Sequence, residues 1–375
     1  MIKPRKAVSS FSPYIAGRPI SEIKRLYKLK KVVKLASNEN PYEPPKKVLA
    51  AIRQNAAAVN RYPDSNAYEL KHKIAKKMGV KAENIIVGNG ADEIIELLGK
   101  AFLDPCDRII VSRHAFIRYR MAADLMSAET KTVDMKNYAH DLVKMAEAAG
   151  KRDKFLFVTN PSNPTGTYSS KKEIDKMFAI LKKNKNAPMI VFDEAYADFA
   201  DAKDYVTAIK YFKAGKKIII LRTFSKTYGM AGMRLGFAVA PEEICEIIER
   251  IRPPFNTTSL SQAGAIAALD DDSYVSRTCR KILDEKKRLE KNLTEMNLKF
   301  VPSQTNFLLV NVGDGNKIFT ALLKLGVIVR GMAEYELPEF IRVTVGKPAE
   351  NDFFIKCLKK IKKVAVRLRG APKGK

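Results

Sequence analysis

Short apolar runs separated by longer amphipathic stretches dominate this chain as far as residue 239, and that alternation limits the folds open to it. Strand-like runs fall at 85–87, 108–111, 131–133, 155–159, 189–192, 218–221 and 236–239. Helical patterns fill several of the gaps, at 91–102, 119–126, 142–149 and 171–182. In the first of these, Ile94, Ile95, Leu97, Leu98 and Phe102 form the apolar face. Parallel strands need a crossover between them, whereas antiparallel neighbours can be joined by a tight turn. The pattern therefore predicts an α/β fold, with a mostly parallel seven-stranded sheet between helices.

Past residue 251 the pattern changes. Pro253-Pro254 breaks the chain, and a long polar helix is expected over 273–296, with Val275, Cys279, Ile282 and Leu289 as a sparse apolar stripe. Strands at 307–312, 327–330 and 340–345 and helices at 317–325 and 352–364 read as a smaller α+β domain. The first forty or so residues look irregular. The expected division is a large domain over 40–255 and a small one formed by the arm 1–39 together with 256–375.

Composition excludes several classes of function. With 46% hydrophobic residues the chain can bury a large core, which excludes wholesale disorder. No apolar run approaches the ~18–20 residues of a membrane span, and no apolar signal core follows the basic start, so a cytoplasmic protein is expected. Cys106, Cys245, Cys279 and Cys357 stand singly, and His72, His114 and His140 are far apart, so no metal site is expected. The net charge of +27 is spread as lysines along the whole chain and is densest in 356–375. Without basic–aromatic interleaving it reads as a solvated surface, with no nucleic-acid or membrane partner.

Four segments carry candidate chemistry. Val87-Gly88-Asn89-Gly90-Ala91-Asp92-Glu93 joins a strand to a helix, where backbone amides and the helix dipole can meet an anion; taken alone, an ordinary turn capped by Asp92 is the better reading. Thr159-Asn160-Pro161-Ser162-Asn163-Pro164-Thr165-Gly166 follows a strand, as a rigid turn or as a ligand loop at a strand's carboxyl end. Asp193 ends the apolar run Met189-Ile190-Val191-Phe192, where it needs a partner unless it caps the next segment of chain. Tyr196, three residues on, suits a core as well as a site. Finally Thr223-Phe224-Ser225-Lys226 sets a lysine after a strand, with Arg234 eight residues later. A lysine held near other cations in a desolvated pocket becomes a usable nucleophile, although alone Lys226 reads as a loop lysine.

Taken together, the ordered set Asn163, Asp193, Tyr196, Lys226 and Arg234 resembles the fold-type I pyridoxal-phosphate aminotransferases. Further blocks resemble the histidinol-phosphate aminotransferases: Leu35-Ala36-Ser37-Asn38-Glu39-Asn40-Pro41-Tyr42, Arg61-Tyr62-Pro63-Asp64, Pro302-Ser303-Gln304-Thr305-Asn306-Phe307 and Ile341-Arg342-Val343-Thr344-Val345-Gly346. The resemblance covers nearly the whole chain. It implies pyridoxal 5'-phosphate as cofactor and Lys226 as Schiff-base lysine and acid–base group. Asp193 would pair with the ring nitrogen, and Asn163 and Tyr196 with the ring oxygen. Gly90, Ala91, Asp92, Ser225, Arg234 and Thr223 would lie around the phosphate, with Tyr62 reaching it from the other subunit of a homodimer. Phe116 would stack on the ring, where many relatives carry Tyr. Arg342 is expected to grip the substrate carboxylate and Arg330 a substrate phosphate or side chain, with Tyr14 and Asn38 beside them. The segment Arg330-Gly331-Met332 departs from the Arg-Pro-Met that relatives often show.

The reaction implied is transamination of histidinol phosphate with 2-oxoglutarate, giving imidazole-acetol phosphate and glutamate in histidine biosynthesis. Aromatic amino-acid transamination is the nearest rival, followed by phosphothreonine decarboxylation on the same scaffold. A cofactor-sensing DNA-binding regulator is the most distant, since the resemblance begins by about residue 10.

Overall fold

The structure, a computed structural model, describes residues 2–9, 11 and 18–370, the side chains of 364–370 excepted. Among the described residues thirteen strands form three sheets. In chain order they are β1 (Val33–Lys34), β2 (Ile85–Gly88), β3 (Arg108–Ser112), β4 (Glu129–Val133), β5 (Asp153–Thr159), β6 (Met189–Asp193) and β7 (Ile218–Thr223). There follow β8 (Gly236–Val239), β9 (Phe300–Val301), β10 (Phe307–Asn311), β11 (Val327–Ile328), β12 (Arg330–Gly331) and β13 (Phe340–Thr344).

All seven early strand-like runs enter one sheet, in the order β2-β8-β7-β6-β5-β3-β4. β7, β6, β5, β3 and β4 are parallel, and β8 alone runs against both of its neighbours. The period-two alternation of a strand sorts its side chains to two faces. Along β5, Phe155 and Phe157 join one core, while Leu156 and Val158 join the other. The helix Gly90–Phe102 buries Ile94, Ile95, Leu97 and Leu98 on the first face. The helices Tyr68–Met78, Leu142–Glu147 and Lys171–Leu181 cover the second. The central strands β5, β6 and β7 are largely buried on both sides and read as near-continuous apolar runs, as parallel sheets require, whereas the edge strand β4 is polar and at most half-buried.

The antiparallel order β12-β13-β10-β9 forms a second sheet, and β1 pairs in parallel with β11. The run expected as one strand over 327–330 is thus split between two sheets, β11 meeting β1 and β12 meeting β13. The polar helix spans Asp272–Glu295 and turns Cys279, Ile282, Leu289 and Leu293 inward. The irregular start contains helices at Lys6–Ser9 and Ile20–Tyr27, and the helices Lys46–Asn55, Glu242–Ile251 and Ser259–Ala268 complete the chain's middle. Ser259–Ala268 packs on Lys46–Asn55, and its Ala265 and Ala268 join the core beneath the large sheet. Among the described residues no helix is long and apolar enough to cross a membrane.

Candidate active site

The parallel strands of the large sheet end together, and their last residues open one pocket of about 390 Å³. Thr159 ends β5, Asp193 ends β6 and Thr223 ends β7, and all three line it. The carboxyl edge of an open α/β sheet is where such folds bind ligands, and the volume falls in the range of small-molecule sites. Of the residues expected at the site, Asn38, Gly90, Ala91, Asp92, Phe116, Asn163, Asp193, Tyr196, Thr223, Ser225, Lys226, Arg234, Arg330 and Arg342 all line this pocket. Tyr62 does not. It is 81% exposed and stacks on Phe255, ring centroids 4.5 Å apart. Tyr14 lies outside the described residues.

One wall is an anion cradle. The helix Gly90–Phe102 begins here, and its N-cap Asn89 makes no side-chain capping bond, so the first amides remain unsatisfied from within the helix. Gly90 has φ +77°, and a Cβ on it would stand 2.7 Å from Arg234 Nη2. A Cβ on Gly236 would meet the Ala91 amide nitrogen at 2.5 Å. Only glycine at both points lets strand, helix and guanidinium come this close. Arg234, itself left-handed at φ 50°, sets its Nη2 3.7 Å from Asp92 and half exposes its side chain. Ser225 completes the wall, its amide donating to Thr223 Oγ1 at 3.0 Å. Uncapped amides, hydroxyls and a half-exposed guanidinium form a donor set that fits a phosphate.

The floor holds a buried carboxylate. Asp193 accepts from the Tyr119 hydroxyl at 2.6 Å and from the Ala195 amide at 3.1 Å. Each bond to a charged acceptor contributes about 1.5–3 kcal/mol. Burial still outweighs them and pushes the Asp193 carboxyl above the usual carboxylate range. A cationic N–H facing Asp193 would relieve that cost. Tyr119 is held in turn by Thr159 Oγ1 at 2.9 Å and stacks on Phe157 at 4.5 Å. Phe116 lies edge-on to Tyr119 at the pocket wall.

Lys226 Nζ sits 5.6 Å from the Tyr196 ring centre and donates to the Ser37 carbonyl at 3.2 Å. Its loop is braced by paired charges: Arg222 pairs with the buried Glu194 and with Asp198, each at 3.2 Å, and Asp198 accepts from Thr227 Oγ1 at 2.6 Å. The amine is thus fixed relative to the end of β6. Opposite it, Arg342 on β13 donates to Asn163 Oδ1 and to the Ala36 carbonyl. Its buried Nε has no hydrogen-bond partner in the structure. Arg342 and Arg330 both line the pocket, and Arg330 pairs with Glu334.

Several residues of this arrangement carried no signal in the sequence. Tyr119 reads as helix filler, and Glu194 and Arg222 as flanking charge. His140 lies behind β5, with Nε2 2.9 Å from the Thr159 carbonyl and Nδ1 2.5 Å from Ser112 Oγ. Burial pushes its pKa down to about 4, so it is neutral, with the proton on Nε2 facing that carbonyl.

Residues 30–358 match the family model for aminotransferase class I and II. The chain is 40% identical to a histidinol-phosphate aminotransferase of Moorella thermoacetica over 96% of its own length and 93% of the relative's. It is 41% identical to another from Caldicellulosiruptor saccharolyticus, over 95% of this chain and 99% of that one. The solved histidinol-phosphate aminotransferase of Sinorhizobium meliloti, in complex with pyridoxal-5'-phosphate, superposes with a TM-score of 0.85 at 25% identity, covering 95% of this chain and 98% of the other. A double mutant of the Thermus thermophilus aspartate aminotransferase shares the fold at 21% identity, TM-score 0.84, covering 97% of this chain and 100% of its own. The chain belongs to the class I and II aminotransferases, enzymes that use pyridoxal phosphate.

Proposed function

We propose that the enzyme transfers the amino group of histidinol phosphate to 2-oxoglutarate, a step of histidine biosynthesis carried out in the cytoplasm. The observation that carries this reading is the pair Arg330 and Arg342 in the pocket that also holds Lys226 and Asp193. Two guanidiniums suit both partners of such a reaction. One is a phosphate dianion on the amino donor, and the other is a pair of carboxylates on the acceptor. The relatives named for histidinol phosphate support the choice of donor.

When bound, pyridoxal phosphate supplies an aldehyde for amine exchange and a ring that takes up the electron pair left at the substrate's Cα. The chain's own residues do the rest. The Ala91 and Asp92 amides beside Gly90, with Thr223, Ser225 and Arg234, would hold the phosphate. Asp193, aligned by Tyr119, would keep the proton on the ring nitrogen. Asn163 gives its oxygen to Arg342 and so has its amide N–H groups left for the ring oxygen, with Tyr196 as a second donor there. Phe116 would cover one ring face by stacking alone. Lys226 would supply the amine that holds the aldehyde, water being lost, and as a free amine would carry the proton away from Cα. Arg342 would grip a carboxylate with its guanidinium, and Arg330 the more distant anion.

The division into 40–255 and 1–39 with 256–375 is part of this reading. It sets the cofactor-holding residues on one part and Asn38, Arg330 and Arg342 on the other. In a homodimer, Tyr62 of the partner subunit would complete the phosphate site, in keeping with its exposure away from its own pocket.

The test is kcat/KM for histidinol phosphate against phenylalanine, each with 2-oxoglutarate, on cofactor-loaded protein. The reading expects a preference of about 10³-fold or more for the phosphate ester, the worth of two or so charge-assisted contacts. Equal values, or a preference for phenylalanine, would move the enzyme to the broad aromatic aminotransferases.

A further inference from the structure

Consecutive residues of one segment touch the reactive groups of the pocket in turn. The Ala36 carbonyl accepts from Arg342 Nη2 at 3.0 Å, the Ser37 carbonyl from Lys226 Nζ at 3.2 Å, and Asn38 Nδ2 donates to the Tyr196 hydroxyl at 2.9 Å. The segment is anchored outside the large sheet. The Leu35 amide donates to the Ile328 carbonyl at 2.7 Å, and the Thr344 amide to the Leu35 carbonyl at 2.9 Å. Asn38 is 1% exposed, at φ 53°, a left-handed conformation that asparagine adopts more readily than most residues.

The direction of its hydrogen bonds follows from counting protons. Thr344 Oγ1 accepts from the Asn38 amide at 2.9 Å, and its own proton is then free for Asn38 Oδ1, 3.1 Å away. That orients the Asn38 side chain with its oxygen on Thr344 and its NH₂ on Tyr196. The Tyr196 oxygen therefore receives a proton, and its own hydroxyl proton must go elsewhere. Thr344 and Arg342 are two residues apart on β13 and so share a face. The strand that presents Arg342 also holds Asn38.

We infer that Asn38 is a positioning residue rather than a substrate contact: it makes the Tyr196 hydroxyl an acceptor on one side, so that its proton is delivered to the cofactor's ring oxygen, and it ties that hydroxyl to the strand carrying Arg342. This rests on the reading of Tyr196 as a ring-oxygen donor. The sharp variant is Asn38→Asp, which keeps the shape, the left-handed tolerance and the acceptor for Thr344. It replaces the donor to Tyr196 by an acceptor, so the phenol proton turns to the new carboxylate. The charged side chains facing the same space, from Glu39 and Asp92 through Asp193, Lys226 and Arg234 to Arg330 and Arg342, stay as they are.

The readout is the pH midpoint of the visible absorbance change of the cofactor-loaded protein without substrate, in wild type, Asn38→Asp, Tyr196→Phe and the double variant. Loss of the donated proton should raise the midpoint in Asn38→Asp by about one pH unit, the equivalent of one net hydrogen bond. In the Tyr196→Phe background the same substitution should add less than about a third of that. An unmoved midpoint, or an equal shift in both backgrounds, overturns the inference, because a charge effect alone would act without the phenol. Should Asn38→Asp not fold, the neutral Asn38→Ser run through the same cycle answers the same question, with a smaller shift in the same direction. A wild type that binds the cofactor without any pH-dependent visible band contradicts the proposed role of Lys226 instead.

Discussion

Asp193, Thr159 and Thr223 each end a strand of the seven-stranded sheet, while Asn38, Arg330 and Arg342 reach the same pocket from the segment after β1 and from the smaller sheet. On the first side the backbone is fixed by a parallel ladder buried on both faces. The polar groups there are braced by the buried neighbours Tyr119, His140 and Glu194 and by the partly buried Arg222. On the second side the strands β11 and β12 are two residues long, and position depends on contacts between distant segments, such as Asn38 with Thr344. The difference separates two tasks. On the proposed reading the strand-end side would hold the cofactor, and the other side would meet the alternating donors and acceptors.

Substitutions on the two sides should therefore fail in different ways. The largest effect is expected on the rigid side. Asp193→Asn should slow turnover by about 10²–10³-fold, the usual loss when a preorganised charge is removed. It should not lower the melting temperature of the cofactor-free protein. The reason is a sign: burial raises the Asp193 carboxyl, so the charged form disfavours folding once pH rises from the ordinary carboxylate value through the raised one. Asparagine never carries that charge. A melting temperature lower by several degrees would make Asp193 a structural residue and break the comparison.

On the other side, Arg330→Lys should lower kcat/KM for the phosphate substrate by about 10–100-fold, since an ammonium cannot reproduce the guanidinium fork. Cofactor affinity, measured by spectral titration, should stay the same. A loss of cofactor affinity would show the two sides to be one.

A third test concerns the bracing behind β5. His140 has its pKa pushed down to about 4, below its ordinary value of 6.5. The neutral form is favoured in the fold, so that contribution is complete above pH 6.5 and is lost as pH falls toward 4, in all roughly 3 kcal/mol. His140→Gln keeps a donor for the Thr159 carbonyl without a titrating group. Its melting temperature should decline less than that of wild type between pH 6.5 and 4, and parallel curves would contradict this.

Legibility in the sequence divides along the same line. Most strands of the large sheet could be read as apolar runs, although β4 is polar and at most half-buried, and Asn163, Asp193 and Lys226 stood out only as an ordered set in the segments that follow such runs. Arg330 was legible as a residue, but its strand was not: 327–330 reads as one apolar run, and only the pairing with two different sheets divides it. Tyr119 was hidden because its partner Asp193 is 74 residues away and nothing local marks the contact. Asn38 stood out within its motif, yet its contact with Thr344 lies 306 residues away and has no local mark. Helices such as Lys46–Asn55 and Ser259–Ala268 escaped notice because they pack chiefly on each other and carry short, alanine-rich faces.

The central claim is that one lysine among 68 lysines and arginines is the cofactor's amine. It is tested by reducing the pyridoxal-phosphate-loaded protein with borohydride and mapping the modified peptide by mass spectrometry. The account predicts a single stoichiometric label on Lys226, absent from an otherwise folded Lys226→Ala protein. A label on another lysine, or one that survives in Lys226→Ala, would contradict it.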